Sequence, residues 1–163
     1  MKLYLLLSGL ASTIFFSSVT FSSPLSVLKR GLDTYITIED VINKPNTLLK
    51  LNADIYKIFY EEASYEGLSN DLLIDFGVLD KNTNPEKLNI RTIDTEQGSD
   101  FGYEVRIYGV REKACIKLVR EYGRVDLFTN IKIFDNDDAI EVECQGDRLG
   151  YIANNVMVFE KLH

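Results

Sequence analysis

The sequence predicts an α+β domain in which an N-terminal helical segment packs on an antiparallel sheet and a disulfide closes the C-terminal region. Three observations predict it. Apolar residues recur at helical spacing before residue 60, apolar and polar residues alternate from Tyr103 onwards, and the chain has two cysteines, Cys115 and Cys144. With 163 residues, of which 45% are hydrophobic and 26% charged, the composition is that of a single globular domain.

An apolar run without charged residues, 3–21, follows Lys2 and precedes a polar, acidic chain. It predicts a secretory signal peptide over residues 1–22, with Thr20 and Ser22 beside the cleavage site. The alternative is a retained membrane anchor, because an apolar run of 19 residues is near the lower limit for crossing a bilayer. We expect residues 23–163 to form one globular domain that is exported to the periplasm, the cell surface or the extracellular space.

Helical spacing already begins at Ser26, and Pro45 should break or kink any helix that runs through Val41 and Ile42. Two further helices are predicted between Pro45 and the sheet. Spacings of 3, 4, 3 and 1 between five apolar residues predict an amphipathic helix that begins after Pro45 and ends at Gly67. Ser69 is well placed to cap a shorter helix over residues 69–76, which Gly77 closes in a left-handed turn. The five apolar residues of the first helix are Leu48, Leu51, Ile55, Ile58 and Phe59.

The second half of the chain predicts a sheet. Tyr103, Val105 and Ile107 alternate with polar residues, as on a strand with one buried face. Turn-forming residues over 95–102 and 135–138 separate neighbouring strands. Five strands are predicted, over residues 88–93, 103–108, 127–134, 139–144 and 155–160.

Helical spacing returns between the second and third predicted strands. Residues 112–122 place Cys115 on the inward face of this helix, and Gly123 ends it. Behind a leader that exports the chain, two cysteines 29 positions apart are most simply one disulfide, Cys115–Cys144. This bond would pin the helix to the end of a strand and contribute about 3.5 kcal/mol in the chain-entropy model. The alternative is two unpaired, buried thiols.

The charge of the chain limits its partners. Its net charge is −7 and no basic stripe is expected, so phosphate backbones and anionic lipid surfaces should be repelled by it. We therefore expect no nucleic-acid partner, and contact with a membrane only through residues 3–21 if these are not cleaved. Other proteins are the expected partners.

A search for catalytic chemistry finds little. His163 is the only histidine and ends the sequence, which disfavours Ser-His-Asp and Cys-His sites. Nucleophile-elbow, zinc-protease, dinucleotide and phosphate-loop motifs do not occur. The acidic turn at 135–138 lacks the glycine and the final carboxylate of a calcium loop. We therefore expect no enzyme activity, no catalytic residues, no metal site and no cofactor.

Tyrosines at the end of the first predicted helix are candidates for a protein interface. Tyr56, Tyr60 and Tyr65 are placed to line one side of this helix end, and tyrosine is enriched in interfaces. The alternative is that Tyr56 and Tyr60 only cover the core.

Four segments, taken in order, resemble parts of one known family. Tyr65-Glu-Gly-Leu follows the long helix, and Gly109-Val-Arg-Glu-Lys-Ala-Cys begins a helix just before the first cysteine. Phe128-Thr-Asn-Ile-Lys-Ile resembles the strand after that helix, and Asn155-Val-Met-Val-Phe-Glu resembles the final strand. Together they are similar to the globular domain of type IV pilins of the IVb branch, including minor pilins. The similar region covers residues 48–162.

The resemblance implies a pilin-like fold and a role as an exported structural or binding component of a bacterial type IVb pilus or a related secretion or surface machine. Partners would be pilus or secretion-system subunits, or a host surface protein. The N-terminus departs from the family. Ile14 and Ile36 stand where a glutamate would follow Gly9-Leu10 or Gly31-Leu32, so polymerisation is not implied. The alternative is a free secreted small binding protein, an adhesin or inhibitor, that does not assemble.

Overall fold

The computed structural model describes residues 32, 34–44, 46–135, 140–147 and 152–162. The predicted leader over 1–22, most of the predicted turn at 135–138, and His163 lie outside these residues. The described elements are α1 (Ile38–Asn43), α2 (Thr47–Ile58), α3 (Asn70–Asp75), β1 (Leu88–Thr95), β2 (Gly98–Val110), α4 (Glu112–Tyr122), β3 (Asn130–Asp135) and β4 (Asn155–Leu162).

The described part of the chain mixes helices with one four-stranded antiparallel sheet, as predicted at that level. The strand order is β1-β2-β4-β3, so the last strand along the chain lies inside the sheet. Its neighbours are β2, through pairs such as Val105 with Phe159, and β3, through pairs such as Ile133 with Met157. The packing of any helix that precedes residue 32 lies outside the described residues.

The hairpin between β1 and β2 is tighter than predicted. Only Glu96 and Gln97 connect the two strands, and Gly98 already pairs with Thr95. The predicted turn-rich segment 95–102 is therefore mostly strand. Its turn-forming residues instead produce an irregular register before Thr95, where the backbone can bend without leaving the ladder.

Helix α2 has the predicted apolar face but ends earlier than predicted. Leu48, Leu51 and Ile55 are fully buried. The helix stops at Ile58 rather than at Gly67, and the following residues turn back toward the sheet. The Tyr65 backbone N–H donates to the Asp100 carbonyl of β2 at 2.8 Å, a long-range bond that a continued helix would exclude.

Helix α3 confirms both of its predicted ends. The Ser69 side chain accepts a hydrogen bond from the Leu72 backbone N–H at 3.3 Å, which satisfies one of the free donors of the first turn. Gly77 follows the helix with φ of +69°, the left-handed conformation that glycine adopts without strain. The cap and the glycine thus limit the helix to six residues.

The C-terminal region differs from prediction in one element. Helix α4 has the predicted bounds, while β3 begins at Asn130, three residues later than predicted. The predicted strand 139–144 is wrong. Its described residues form an irregular segment that meets β3 through a single bridge, Phe134 with Glu141, and through the Val142 N–H, which donates to the Ile133 carbonyl at 2.8 Å. The segment leaves the sheet edge because Cys144, two residues after Val142, is bonded to helix α4.

Candidate functional site

Helix α4 and the irregular segment 140–147 are joined by the predicted disulfide. Cys115 and Cys144 are bonded with an S–S distance of 2.02 Å and a Cα–Cα distance of 5.8 Å. Cys115 is completely buried on α4, whereas Cys144 is half-buried. The bond therefore anchors α4 to the segment beside β3 rather than to the end of a strand. Disulfides persist in oxidising environments, so this bond indicates a compartment other than the cytoplasm.

Two of the three candidate tyrosines lie on the surface together. Tyr56 is 57% exposed and Tyr60 is 66% exposed. Their rings meet edge to face, with centroids 5.5 Å apart and planes at 75°. They form a paired aromatic surface at the C-terminal end of α2, where more than half of each side chain is exposed.

The third candidate, Tyr65, is separated from this surface. It is only 7% exposed, and its ring packs edge to face on Phe59 and Tyr103 at centroid distances of 5.5 and 5.0 Å. Burial raises the pKa of its phenol, as does the proximity of Tyr56. A side chain enclosed in this way cannot offer its ring to a partner. Tyr65 instead packs in the core against Phe59, the residue that caps the C-terminal end of α2.

Tyr103, which was expected on the inward face of its strand but was not selected as a site residue, packs on Tyr65. The Tyr103 hydroxyl donates to Asn52 Oδ1, which ties strand β2 to helix α2. Burial raises the pKa of Tyr103 far above its usual value. The alternation that predicted an inward-facing Tyr103 is confirmed, but no local signal identifies Asn52 as its partner.

A buried charge near the exposed pair is already paired. Asp54 is buried on α2, and its carboxylate accepts from Lys57 Nζ at 3.0 Å and from the Thr34 hydroxyl at 3.3 Å. The surface around Tyr56 and Tyr60 therefore combines two rings and their hydroxyls with the exposed carboxylates of Glu61 and Glu62, which follow Tyr60 in the chain. The rings and hydroxyls bury apolar area and hydrogen-bond at low conformational cost, which suits recognition of another protein.

Among the described residues, no group of three or more His, Cys, Asp or Glu side chains could hold a metal ion. Each helix of that same part is too short or too polar to cross a membrane. Comparison with models of known protein families and with curated proteins finds no match to this chain.

Proposed function

We propose that this chain is an exported, pilin-like structural or binding component of a bacterial type IVb pilus or a related secretion or surface machine. The order of elements around the disulfide supports the proposal most. Helix α4 begins three residues before Cys115, strand β3 follows, Cys144 comes next, and β4 ends the domain. The resemblance implied this order. The proposed role is non-enzymatic, and its place is the periplasm, the cell surface or the extracellular space.

The proposed contact with a partner uses Tyr56 and Tyr60. Exposed, paired aromatic rings are the kind of side chain that dominates binding energy in protein interfaces. Such a surface fits a pilus or secretion-system subunit, or a host surface protein. It gives the proposed component a means of docking that does not require nucleic acid, lipid or a small ligand.

A second candidate function is a free secreted binding protein, an adhesin or inhibitor. The absence of a glutamate at Ile14 and Ile36 favours it, because the residue that type IV prepilins carry there is missing. The same tyrosine surface would then bind a target without assembly into a filament.

The sequence of the mature N-terminus separates the two candidates. We expect export followed by cleavage after Gly9, or retention of residues 3–21, if the chain is held in the membrane for assembly. Cleavage near Ser22 with release of a soluble protein would contradict the assembly role and favour the free binding protein. Recovery of the full chain from the cytoplasm would contradict both.

Photo-crosslinking tests the tyrosine surface. A photoreactive residue at position 60 is expected to give adducts with a distinct protein in exporting cells, and the same residue at the exposed position 81 is the control. Tyr56→Ala should reduce the adducts formed at position 60 and leave folding unchanged, because the side chain is exposed. Adducts of equal yield at both positions, or at neither, would contradict the proposed interface.

A further inference from the structure

Helix α4 presents a basic stripe, contrary to the expectation from the sequence, on a chain whose net charge is −7. Its cations are spaced 4, 3 and 4 apart, so they share one helical face and extend just past the helix end. All of them are exposed, and none forms an ion pair among the described residues. The members of the stripe are Lys113, Lys117, Arg120 and Arg124.

An open apolar groove of about 560 Å³ runs beside the stripe, between α4 and β3. Ile116 and Val119 line it from the helix, Ile133 from the strand, and Val142 with Cys144 from the irregular segment. Ile116 is 42% exposed, although its side chain is fully apolar. The disulfide holds the irregular segment against α4, so the groove is present without a bound partner.

Strand β3 is an edge of the sheet, and its residue Ile133 lines this groove. On the side away from β4, the described residues meet β3 only at the Phe134–Glu141 bridge and at the Val142–Ile133 hydrogen bond. The stretch 130–132 of that edge therefore has no paired strand among the described residues. An exposed edge beside apolar pockets is the arrangement that binds an extended peptide by adding a strand.

The charges at the two ends of the groove differ. Glu112 and Glu143 lie at the end near Cys144, whereas Arg120 lies on the rim and Arg124 continues the stripe beyond it. A complementary segment would therefore carry its acidic residues over Arg120 and Arg124, and neutral or basic residues over Glu112. Complementary charge of this kind selects both the partner and its direction.

We propose that α4 and β3 bind an extended acidic segment of a partner protein, whose apolar side chains fill the groove while its backbone continues along β3 and pairs with residues 130–132, next to Ile133. This surface is distinct from the tyrosine pair. The proposal does not depend on whether the chain belongs to a pilus.

Two synthetic peptides test the proposal on the full chain with its disulfide formed. Both alternate isoleucine and threonine, and one ends in three glutamates where the other ends in three lysines. We expect the acidic peptide to bind about ten-fold more tightly, with NMR shifts at Ile116, Ile133 and Val142. The double substitution Arg120→Glu/Arg124→Glu should reverse the preference, whereas Lys50→Glu/Lys81→Glu, an equal change of charge at exposed positions, should preserve it.

The groove itself is tested by Ile116→Asp, which should weaken both peptides about ten-fold. If this variant fails to retain the disulfide or a cooperative unfolding transition, the double substitution Arg120→Glu/Arg124→Glu alone tests the proposal. Equal affinities for the two peptides, no binding of either, or shifts confined to other surfaces would overturn the proposal. Self-association of the chain that Ile116→Asp abolishes would also overturn it, because the occupant would then be a second copy.

Discussion

Asn155 is completely buried at the first position of β4, and its amide bonds three backbone groups from two other parts of the chain. Its Nδ2 donates to the Val110 carbonyl at 2.8 Å and to the Gln145 carbonyl at 2.9 Å, while its Oδ1 accepts from the Gln145 N–H at 2.7 Å. One side chain thus fastens the segment after Cys144 to the end of β2. Each of these backbone groups would lose its partner if the amide were removed.

We expect Asn155→Ala to lower the free energy of unfolding by about 2 kcal/mol or more, because buried backbone groups left without a hydrogen bond are costly. Urea denaturation measures this change. The matched control is Asn130→Ala, since the Asn130 amide bonds only Glu160 at the surface and should cost less than about 1 kcal/mol. Equal effects of the two substitutions would contradict the role assigned to Asn155.

The raised pKa of Tyr103 predicts how the free energy of unfolding depends on pH. Its phenol has a raised pKa in the folded protein, while the unfolded chain ionises near the ordinary value of about 10. The stabilising contribution is therefore complete below pH 10 and is lost as the pH rises above it, because only the unfolded state then releases the proton. The expected slope is up to about 1.4 kcal/mol per pH unit for this residue.

Urea denaturation between pH 9 and 11.5 tests this dependence. Tyr103→Phe should make the decline above pH 10 shallower, since the substituted ring has no proton to release. Part of the decline should remain, because burial also raises the pKa of Tyr65 and of Tyr122. Tyr60→Phe, which removes an exposed phenol, should leave the decline unchanged. If the free energy of unfolding of Tyr103→Phe declines as steeply as that of the natural chain, groups other than Tyr103 cause the decline.

At the scale of elements, the disulfide and the packing of α4 contribute separately. Leu118 and Tyr122 bury the helix in the core without help from Cys115, and the Tyr122 hydroxyl also accepts a hydrogen bond from the Leu48 N–H at 3.2 Å. The segment 140–147, in contrast, is held by Cys144, by the Asn155 amide at Gln145, by Asp147 and by two contacts with β3. Loss of the bond should therefore loosen the segment more than the helix.

We expect Cys115→Ser/Cys144→Ser to lose about 3.5 kcal/mol of stability, as the chain-entropy model gives for a loop of this length. Hydrogen exchange should accelerate at the Val142 amide far more than within α4. Denaturation of the natural chain with and without reductant provides the control, because reductant should reproduce the loss there and have no effect on the variant. A variant as stable as the natural chain would show that the bond constrains nothing.

At the scale of the whole molecule, β4, which follows the other described strands in the chain, occupies an inner position of the sheet. Strand β4 is inserted between β2 and β3, so the two halves of the sheet meet only through the final residues. Phe159 lies at this junction, and its ring packs on Tyr122 and Phe128 at centroid distances of 5.9 and 5.2 Å. Helix α4, the segment before β3 and the sheet thus converge on one aromatic side chain.

Phe159→Ala is expected to destabilise the protein by about 3–5 kcal/mol, the usual cost of deleting a fully buried ring. Leu162→Ala, on the same strand but 38% exposed, should cost less than about 1.5 kcal/mol. Thermal unfolding of both variants measures the difference. Similar losses for the two would indicate that β4 contributes mainly through its backbone pairing.

Much of the local structure could be predicted from the residues. The bounds of α4, the cap at Ser69, the left-handed Gly77 and the inward face of Tyr103 all follow from spacing or from the chemistry of single residues. The end of α2 could not be predicted in this way, because a hydrogen bond from Tyr65 to a distant strand competes with further helix. The false strand over 139–144 has the same origin, since the bond of Cys144 to α4 overrides a local preference for strand.

The candidate site was predictable only in part. The pair Cys115–Cys144 and the exposed pair Tyr56–Tyr60 come from residue type and position, but the burial of Tyr65 depends on Tyr103 across the domain. The edge position of β3 likewise depends on where β4 inserts.

Periodicity and capping thus indicate most of the segments that become helices or strands, because those signals act over a few neighbouring residues, and the cysteine count indicates the disulfide. Strand order, the surroundings of Asn155 and the division of the tyrosines between surface and core arise from contacts between residues far apart in the chain. Such contacts exist only once the chain has folded, so no local pattern records them.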